Sequence, residues 1–227
     1  MRFLGSKCAM LVGAHPDDAV LGAGGTATLL KQNGWRVIVV TATKGGLGGA
    51  ELTREREERA SIASLSLELH QGAMQDGSLD LQDCVEFLNG LVGYYEPAII
   101  FTHAPDDTHQ DHTILTRAAL IAGRGCQCLL YYEGPSSQRF QPVIKIDVSS
   151  VWPLKISAVR HYQSQLERLD LIRWMEYVAN FRSWPDISRT KVEAFQPERI
   201  YVDLTSAQPP PAFEECGGGE FLLPVER

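Results

Sequence analysis

Unbroken apolar runs alternate along the chain with stretches in which apolar positions recur every three or four residues. Four to eight consecutive apolar positions read as a strand buried on both faces, and the longer spacing reads as a helix with one face on a core. On this basis residues 8–12 form a first strand and residues 20–32 a helix that stops at Asn33-Gly34. The β-branched run 36–41 is a second strand. Residues 51–67, dense in Arg and Glu, form a helix with a charged face, and residues 79–95 an amphipathic helix ended by Glu96-Pro97. Residues 98–102 form a third buried strand, followed by a helix over 113–122. Residues 128–132 and 143–148 are further strands, the second expected antiparallel because the connection is short and holds Pro135. Residues 153–166 and 169–181 are helical, residues 199–204 a last strand, and the Pro- and Gly-rich tail irregular. This order predicts an α/β, Rossmann-like sandwich: a mostly parallel central sheet with helices on both faces, in one domain with a core of about 8–204.

Two polar clusters interrupt the pattern where a strand hands over to a helix. The first is His15-Pro16-Asp17-Asp18 and the second Asp106-Asp107-Thr108-His109-Gln110-Asp111-His112. In an open α/β sheet, ligands bind at the carboxyl ends of strands, so both clusters belong on one edge. Alone, the first reads as a helix N-cap, since Asp caps well. Two adjacent carboxylates are costly to bury without a cation or donors, however, and the second cluster supplies more metal-ligating groups. Two His and one carboxylate leave open positions, as catalytic metal sites do. One assignment takes His15, Asp18 and His112 as ligands and Asp17 as the general base. His109 then faces the scissile group as oxyanion stabiliser and acid, with Asp111 or Asp107 on its other ring nitrogen.

These motifs resemble those of the LmbE-like, or PIG-L-like, de-N-acetylases. The resemblance extends to Gly22 to Gly25, Thr43-x-Gly45, Arg54-x-x-Glu57, Asp76-Gly77, Lys155 through His161-Tyr162-Gln163-Ser164-Gln165, and Val192-Glu193-Ala194-Phe195. It implies a zinc hydrolase that removes acetyl from N-acetylglucosaminyl groups or related amides. His15, Asp18 and His112 would be the metal ligands, Asp17 the base, His109 the electrostatic or acid catalyst supported by Asp111, and Arg54 a substrate contact. Ferrous iron fits the same ligands. The sequence departs from the family at Ala19, where the motif usually continues with Glu; a contact around the metal ligands is lost there.

Composition narrows the partners. A net charge of −7 with no basic patch argues against nucleic acid, and no apolar stretch reaches membrane-spanning length. The N-terminus lacks the pattern of a signal peptide. Five scattered cysteines without a C-x-x-C pair fit a reducing cytoplasm. The expected partner is a small N-acetylated amino sugar, with a homo-oligomer left open. Gly22-x-Gly24-Gly25 is not read as a dinucleotide loop, because two carboxylates precede it where a pyrophosphate would sit. Arg54 equally suits a solvated salt-bridge face, and Trp174 and Trp184 suit a core. Two rivals stand beside the deacetylase: a non-haem iron oxygenase with the same two-His-one-carboxylate set, and a carbohydrate-binding protein with a decayed site, for which Ala19 is the only support.

Overall fold

The computed structural model describes residues 7–185 and 190–201. Seven strands, β1 (Cys8–Gly13), β2 (Arg36–Thr43), β3 (Glu68–Met74), β4 (Ile99–His103), β5 (Cys128–Tyr132), β6 (Ile144–Asp147) and β7 (Val192–Ile200), form one sheet in the order β3-β2-β1-β4-β5-β7-β6. The first five are parallel; β7 runs antiparallel to β5, and β6 antiparallel to β7. The helices are α1 (Asp18–Gln32), α2 (Glu51–Ser64), α3 (Leu81–Tyr95), α4 (Gln110–Ala122), α5 (Trp152–Val159), α6 (Gln163–Leu166) and α7 (Leu171–Ser183).

Strand order reverses between β1, whose next strand β2 lies on one side, and β4, which pairs on the other. That switch point opens a crevice at the carboxyl ends of β1 and β4, where both polar clusters begin. The β1 side chains alternate strictly. Ala9 and Leu11 join the core shared with α1, α5 and α7, while Cys8, Met10 and Val12 join the core shared with α3 and α4. Burial on both faces is why β1 reads as a continuous apolar run.

Several boundaries differ from the sequence reading. β3 was not expected; it is a partly buried edge strand whose Glu68-Leu69-His70-Gln71 mixes polarity, so its period is masked. The last strand begins at Val192 rather than Arg199, and residues 202–204 and the tail lie outside the described residues. β6 is antiparallel, as expected, but through β7 rather than the preceding β5. The helix read over 153–166 is two, α5 and α6, separated at Arg160–Tyr162. Among the described residues no helix is long and apolar enough to cross a membrane.

α1 is broken. Ala23 has φ −142° and ψ 15°, outside the helical region, so the helix stops and restarts inside its glycine-rich segment. A break frees N–H groups on one side and carbonyls on the other. Glu193 of β7 accepts from the freed Gly25 and Thr26 N–H groups at 2.8 and 2.7 Å, and Lys155 of α5 donates to the freed Leu21 carbonyl and to Glu193, both at 2.6 Å. Both side chains are buried. A Cβ on Gly22 would meet the Tyr132 ring at 2.2 Å, and one on Gly25 would meet Val148 at 2.8 Å. These glycines serve close packing of α1, which carries Asp18 at its start.

Candidate active site

The turn after β1 is held in an unusual backbone conformation. Asp17 has φ +102°, a region that costs a non-glycine residue on the order of 1–3 kcal/mol. The surroundings enforce it: the His15 N–H donates to Asp18 Oδ2 at 2.7 Å, and the Asp17 N–H donates to Glu58 Oε2 at 3.2 Å. Glu58, buried in α2, also accepts from the Thr41 and Tyr162 hydroxyls at 2.6 Å each. Arg54, one turn earlier on α2, donates to the Pro16 carbonyl and, at 3.2 Å, to Asp17 Oδ2.

Across the crevice, α4 begins with His109 as its N-cap, the ring Nδ1 accepting the Asp111 backbone N–H at 3.3 Å. One turn of helix then brings His112 towards the β1 turn. His15 Nδ1, Asp18 Oδ2 and His112 Nε2 form a triangle with sides of 3.2, 3.3 and 3.5 Å. Ligands on a tetrahedral zinc at about 2.0–2.2 Å stand about 3.3–3.6 Å from one another, so these three atoms fit one face of such a site. The other ring nitrogens are held by carboxylates, as in metal-bound histidines. His15 Nε2 lies 3.0 Å from Asp76 Oδ1 and 3.3 Å from Asp111 Oδ2. His112 Nδ1 lies 3.3 Å from both Asp107 Oδ2 and Ser136 Oγ.

The charges agree with a cation. Burial works against a charged His15, but Asp111, Asp18 and Asp76 outweigh it and raise its pKa to about 12. The carboxylates gathered around His15 thus favour positive charge at this point of the crevice. The two adjacent carboxyls are driven apart. Burial, then the Asp18 charge, holds Asp17 well above the usual range against the pull of Arg54. Burial opposes ionisation of Asp18 too, but His112, His103 and His15 hold it well below that range. Environments that separate a carboxyl pair in this way mark different chemical roles. His109 is lowered by burial and by the neighbouring His112 and His15. With Nδ1 accepting a backbone N–H, neutral His109 carries its proton on Nε2.

All seven residues singled out in the sequence therefore meet around one pocket of about 540 Å³, which His15, Asp17, Asp18, Arg54, His109 and His112 line and whose His15 Asp111 supports. Two supports differ from the expectation. The carboxylate of Asp111 faces His15 and the Gly77 and Leu79 N–H groups, and only its backbone N–H reaches the His109 ring. Asp107 likewise serves His112, because capping geometry turns both side chains away from the His109 ring. Arg54 borders the pocket but spends its Nη2 on the Asp17 turn.

The sequence reading missed His103, Asp76 and Glu58 as parts of the site. His103 ends β4 and stacks on His112 with ring centroids 3.8 Å apart. It lies near Asp18 and His112 and could form a ligand set with them. Its Nε2, however, already accepts the Ala14 N–H at 3.0 Å, which leaves the ring a packing and anchoring role. Its place at the end of the strand feeding the second cluster was the available signal. Ala19 is buried in the first turn of α1.

The family model for PIG-L, GlcNAc-PI de-N-acetylase, matches residues 10–122. The chain belongs to this family. It is 29% identical over 170 residues to the uncharacterised deacetylase YaiS of Escherichia coli (strain K12), a match covering 70% of this chain and 91% of that protein. It is 26% identical over 207 residues to the diacetylchitobiose deacetylase of Thermococcus kodakarensis, covering 76% of this chain and 75% of that one. The solved structure of GalB, the 4-carboxy-2-hydroxymuconate hydratase of Pseudomonas putida KT2440, superposes with a TM-score of 0.76 at 19% identity, covering 86% of this chain and 98% of that one. That likeness concerns the fold alone, and shows that this scaffold also hosts chemistry other than amide hydrolysis. The mostly parallel sheet and the family match both speak against the oxygenase reading.

Proposed function

We propose that this protein is a zinc-dependent hydrolase that removes the acetyl group from an N-acetylated amino-sugar conjugate. The observation that carries the reading is the His15–Asp18–His112 triangle with Asp17 and His109 in the same pocket. Deacetylation also agrees with the family and with the names of the two relatives above.

Zinc held by His15 Nδ1, Asp18 Oδ2 and His112 Nε2 would supply a water of lowered pKa and polarise the scissile carbonyl. Asp17 takes the proton from the attacking water. Burial and the adjacent Asp18 raise its pKa and so strengthen it as a base, and Arg54 fixes the carboxylate by donating to Oδ2. As the carbonyl carbon becomes tetrahedral, the neutral His109 Nε2–H donates to the developing oxyanion. Collapse breaks the C–N bond, and the proton on Asp17 passes to the departing amine. Acetate and a free amino sugar result. Burial, with His112 and His15 beside it, lowers the His109 pKa, which favours the neutral donor over the imidazolium form at this step.

The test is Asp17→Asn on N-acetylglucosamine conjugates, with acetate and metal both measured. The variant is expected to keep its zinc and to lose about 10²–10⁴ in kcat, the usual share of a general base. Acetate release at the wild-type rate with zinc retained would remove Asp17 from this role.

A further inference from the structure

Beside the exposed Arg168, the mouth of the pocket carries apolar side chains that the hydrolytic chemistry does not require. His15 and Asp17 form its buried floor, whereas Leu47 and Leu169, which line the same pocket, are 74% and 60% exposed. These two leucines belong to separate segments, the glycine-rich turn Gly46–Gly48 and the chain leaving α6. The segments are pinned together at one atom, because the Gly48 carbonyl accepts from Gln165 Nε2 at 3.1 Å and from Arg168 Nη1. The Leu47 N–H is fixed in turn on Asp76 Oδ2 at 2.8 Å. The backbone of Leu47 is therefore anchored on both sides while its side chain faces solvent at the rim. The buried Leu21 and Leu171 continue the apolar wall inward, and the exposed Pro135 adds apolar surface outside them.

Among the described residues, no Trp, Tyr or Phe lines the pocket to offer a sugar ring a stacking face. Several polar groups of the wall are already engaged: Asp76 with His15 and Leu47, Gln165 with Gly48, and Arg54 with the Asp17 turn. Two exposed leucines flanking a site mouth leave apolar surface that a ligand can cover, and covering it is favourable. The scissile acetyl must sit at the floor, beside Asp17 and His109. The part of the substrate that passes between the leucines is then the part remote from that acetyl.

Resting on the deacetylase reading, we propose that the substrate carries an alkyl or aryl group on its amine half, as the aglycone of an N-acetylglucosaminide, and that Leu47 and Leu169 bind it and set specificity. Each buried methylene is worth about fourfold in affinity. Burying two of the five methylenes that distinguish a hexyl from a methyl glycoside therefore gives at least about tenfold.

The test compares kcat/KM for methyl and hexyl N-acetyl-β-glucosaminides with the zinc-loaded full chain, by release of the free amine. The hexyl glycoside is expected to be preferred by at least about tenfold, mainly through KM. Leu47→Ser with Leu169→Ser should bring the ratio to within about threefold, while Leu47→Met with Leu169→Met, which keeps the apolar surface, should retain it. Equal rates for the two glycosides would overturn the proposal, as would a ratio untouched by the folded serine double variant. A preference for long N-acyl chains in place of long aglycones would overturn it too. If no glucosaminide is hydrolysed, the deacetylase reading fails, and calorimetry on the same zinc-loaded proteins decides the apolar mouth by itself. Tighter hexyl binding that the serine variant loses supports it; equal binding of both glycosides overturns it.

Discussion

Replacing Asp111 by Asn tests how the second cluster holds the first. The Asp111 side chain is fully buried, and everything around its carboxylate is a donor: the Gly77 N–H at 2.7 Å and His15 Nε2 at 3.3 Å on Oδ2, and the Leu79 N–H at 3.3 Å on Oδ1. Burial opposes its ionisation, but these donors prevail and hold its pKa below the usual range. An Asn amide offers one acceptor oxygen. With that oxygen in the Oδ2 position, its NH₂ faces the Leu79 N–H and leaves a buried donor unpaired, at a cost of about 1–3 kcal/mol. For a chain of this size that is roughly 2–12 °C in Tm, measured with chelator present. His15 keeps only a neutral acceptor there, and loss of such a carboxylate weakens metal binding by about 10–100-fold. Asp76 Oδ1 stands 3.0 Å from the same nitrogen and compensates in part. Each single change, Asp111→Asn or Asp76→Asn, should therefore fall near the tenfold end, and the double variant should exceed the product of the two. Zinc affinity is read by competition with a chromophoric chelator at fixed pH, with Asp106→Asn, at the exposed Arg139 pair, as control. A folded double variant within about threefold of wild type would refute the claim that these carboxylates orient His15.

Other changes probe the scaffold. Lys155→Met strands the buried Glu193 charge and the Leu21 carbonyl at the break in α1 and should cost about 3–5 kcal/mol in denaturant unfolding; adding Glu193→Gln should restore part of it, and a single-variant loss under about 1 kcal/mol would contradict the clamp. Burial raises the Glu58 pKa, against the pull of Thr41, Tyr162 and the Asp17 N–H. The folded state therefore retains a proton that the unfolded chain loses first. Stability conferred by Glu58 relative to Gln should fall as pH rises from about 4.5 through the folded pKa; a wild-type-minus-Glu58→Gln difference that stays flat between pH 4 and 8 in urea midpoints would oppose this. Gly48→Ala places a Cβ 2.1 Å from Arg54 Nη1. It should push the guanidinium off Asp17 and lower kcat by roughly ten- to hundredfold with zinc content unchanged; an unaltered kcat would separate Arg54 from catalysis.

Much of the site was legible because its residues lie in two short segments at strand ends, and β1 and β4 are buried on both faces and so write themselves as apolar runs. What the sequence hid were contacts that cross between elements. Glu58 sits beside Arg54 in a run of Arg and Glu, and nothing local separates it from the half-buried Glu55, which pairs with Lys44 and Arg59. Asp76 reads as a turn residue; only the packing of that turn against α4 shows it reaching His15. The direction of the Asp111 side chain was misjudged for the same reason, since proximity in sequence to His109 says nothing of where a capped first turn points. The glycines of α1 and the motif residues Lys155 and Glu193 lie far apart in sequence, and their common purpose, mending a broken helix, emerges only where α1, α5 and β7 meet. Arg54-x-x-Glu57 and Ser164 likewise meet, with Glu57 accepting from the Ser164 N–H and hydroxyl at 2.8 and 2.6 Å.

The most direct test of the account is a titration of metal-free protein with zinc, following acetate release from an N-acetylglucosaminide. The account predicts that activity rises in proportion to zinc and saturates at one equivalent per chain, and that Asp18→Ala abolishes the saturable site. Undiminished acetate release from chelator-treated protein, or a full equivalent of tightly bound zinc in Asp18→Ala, would contradict it.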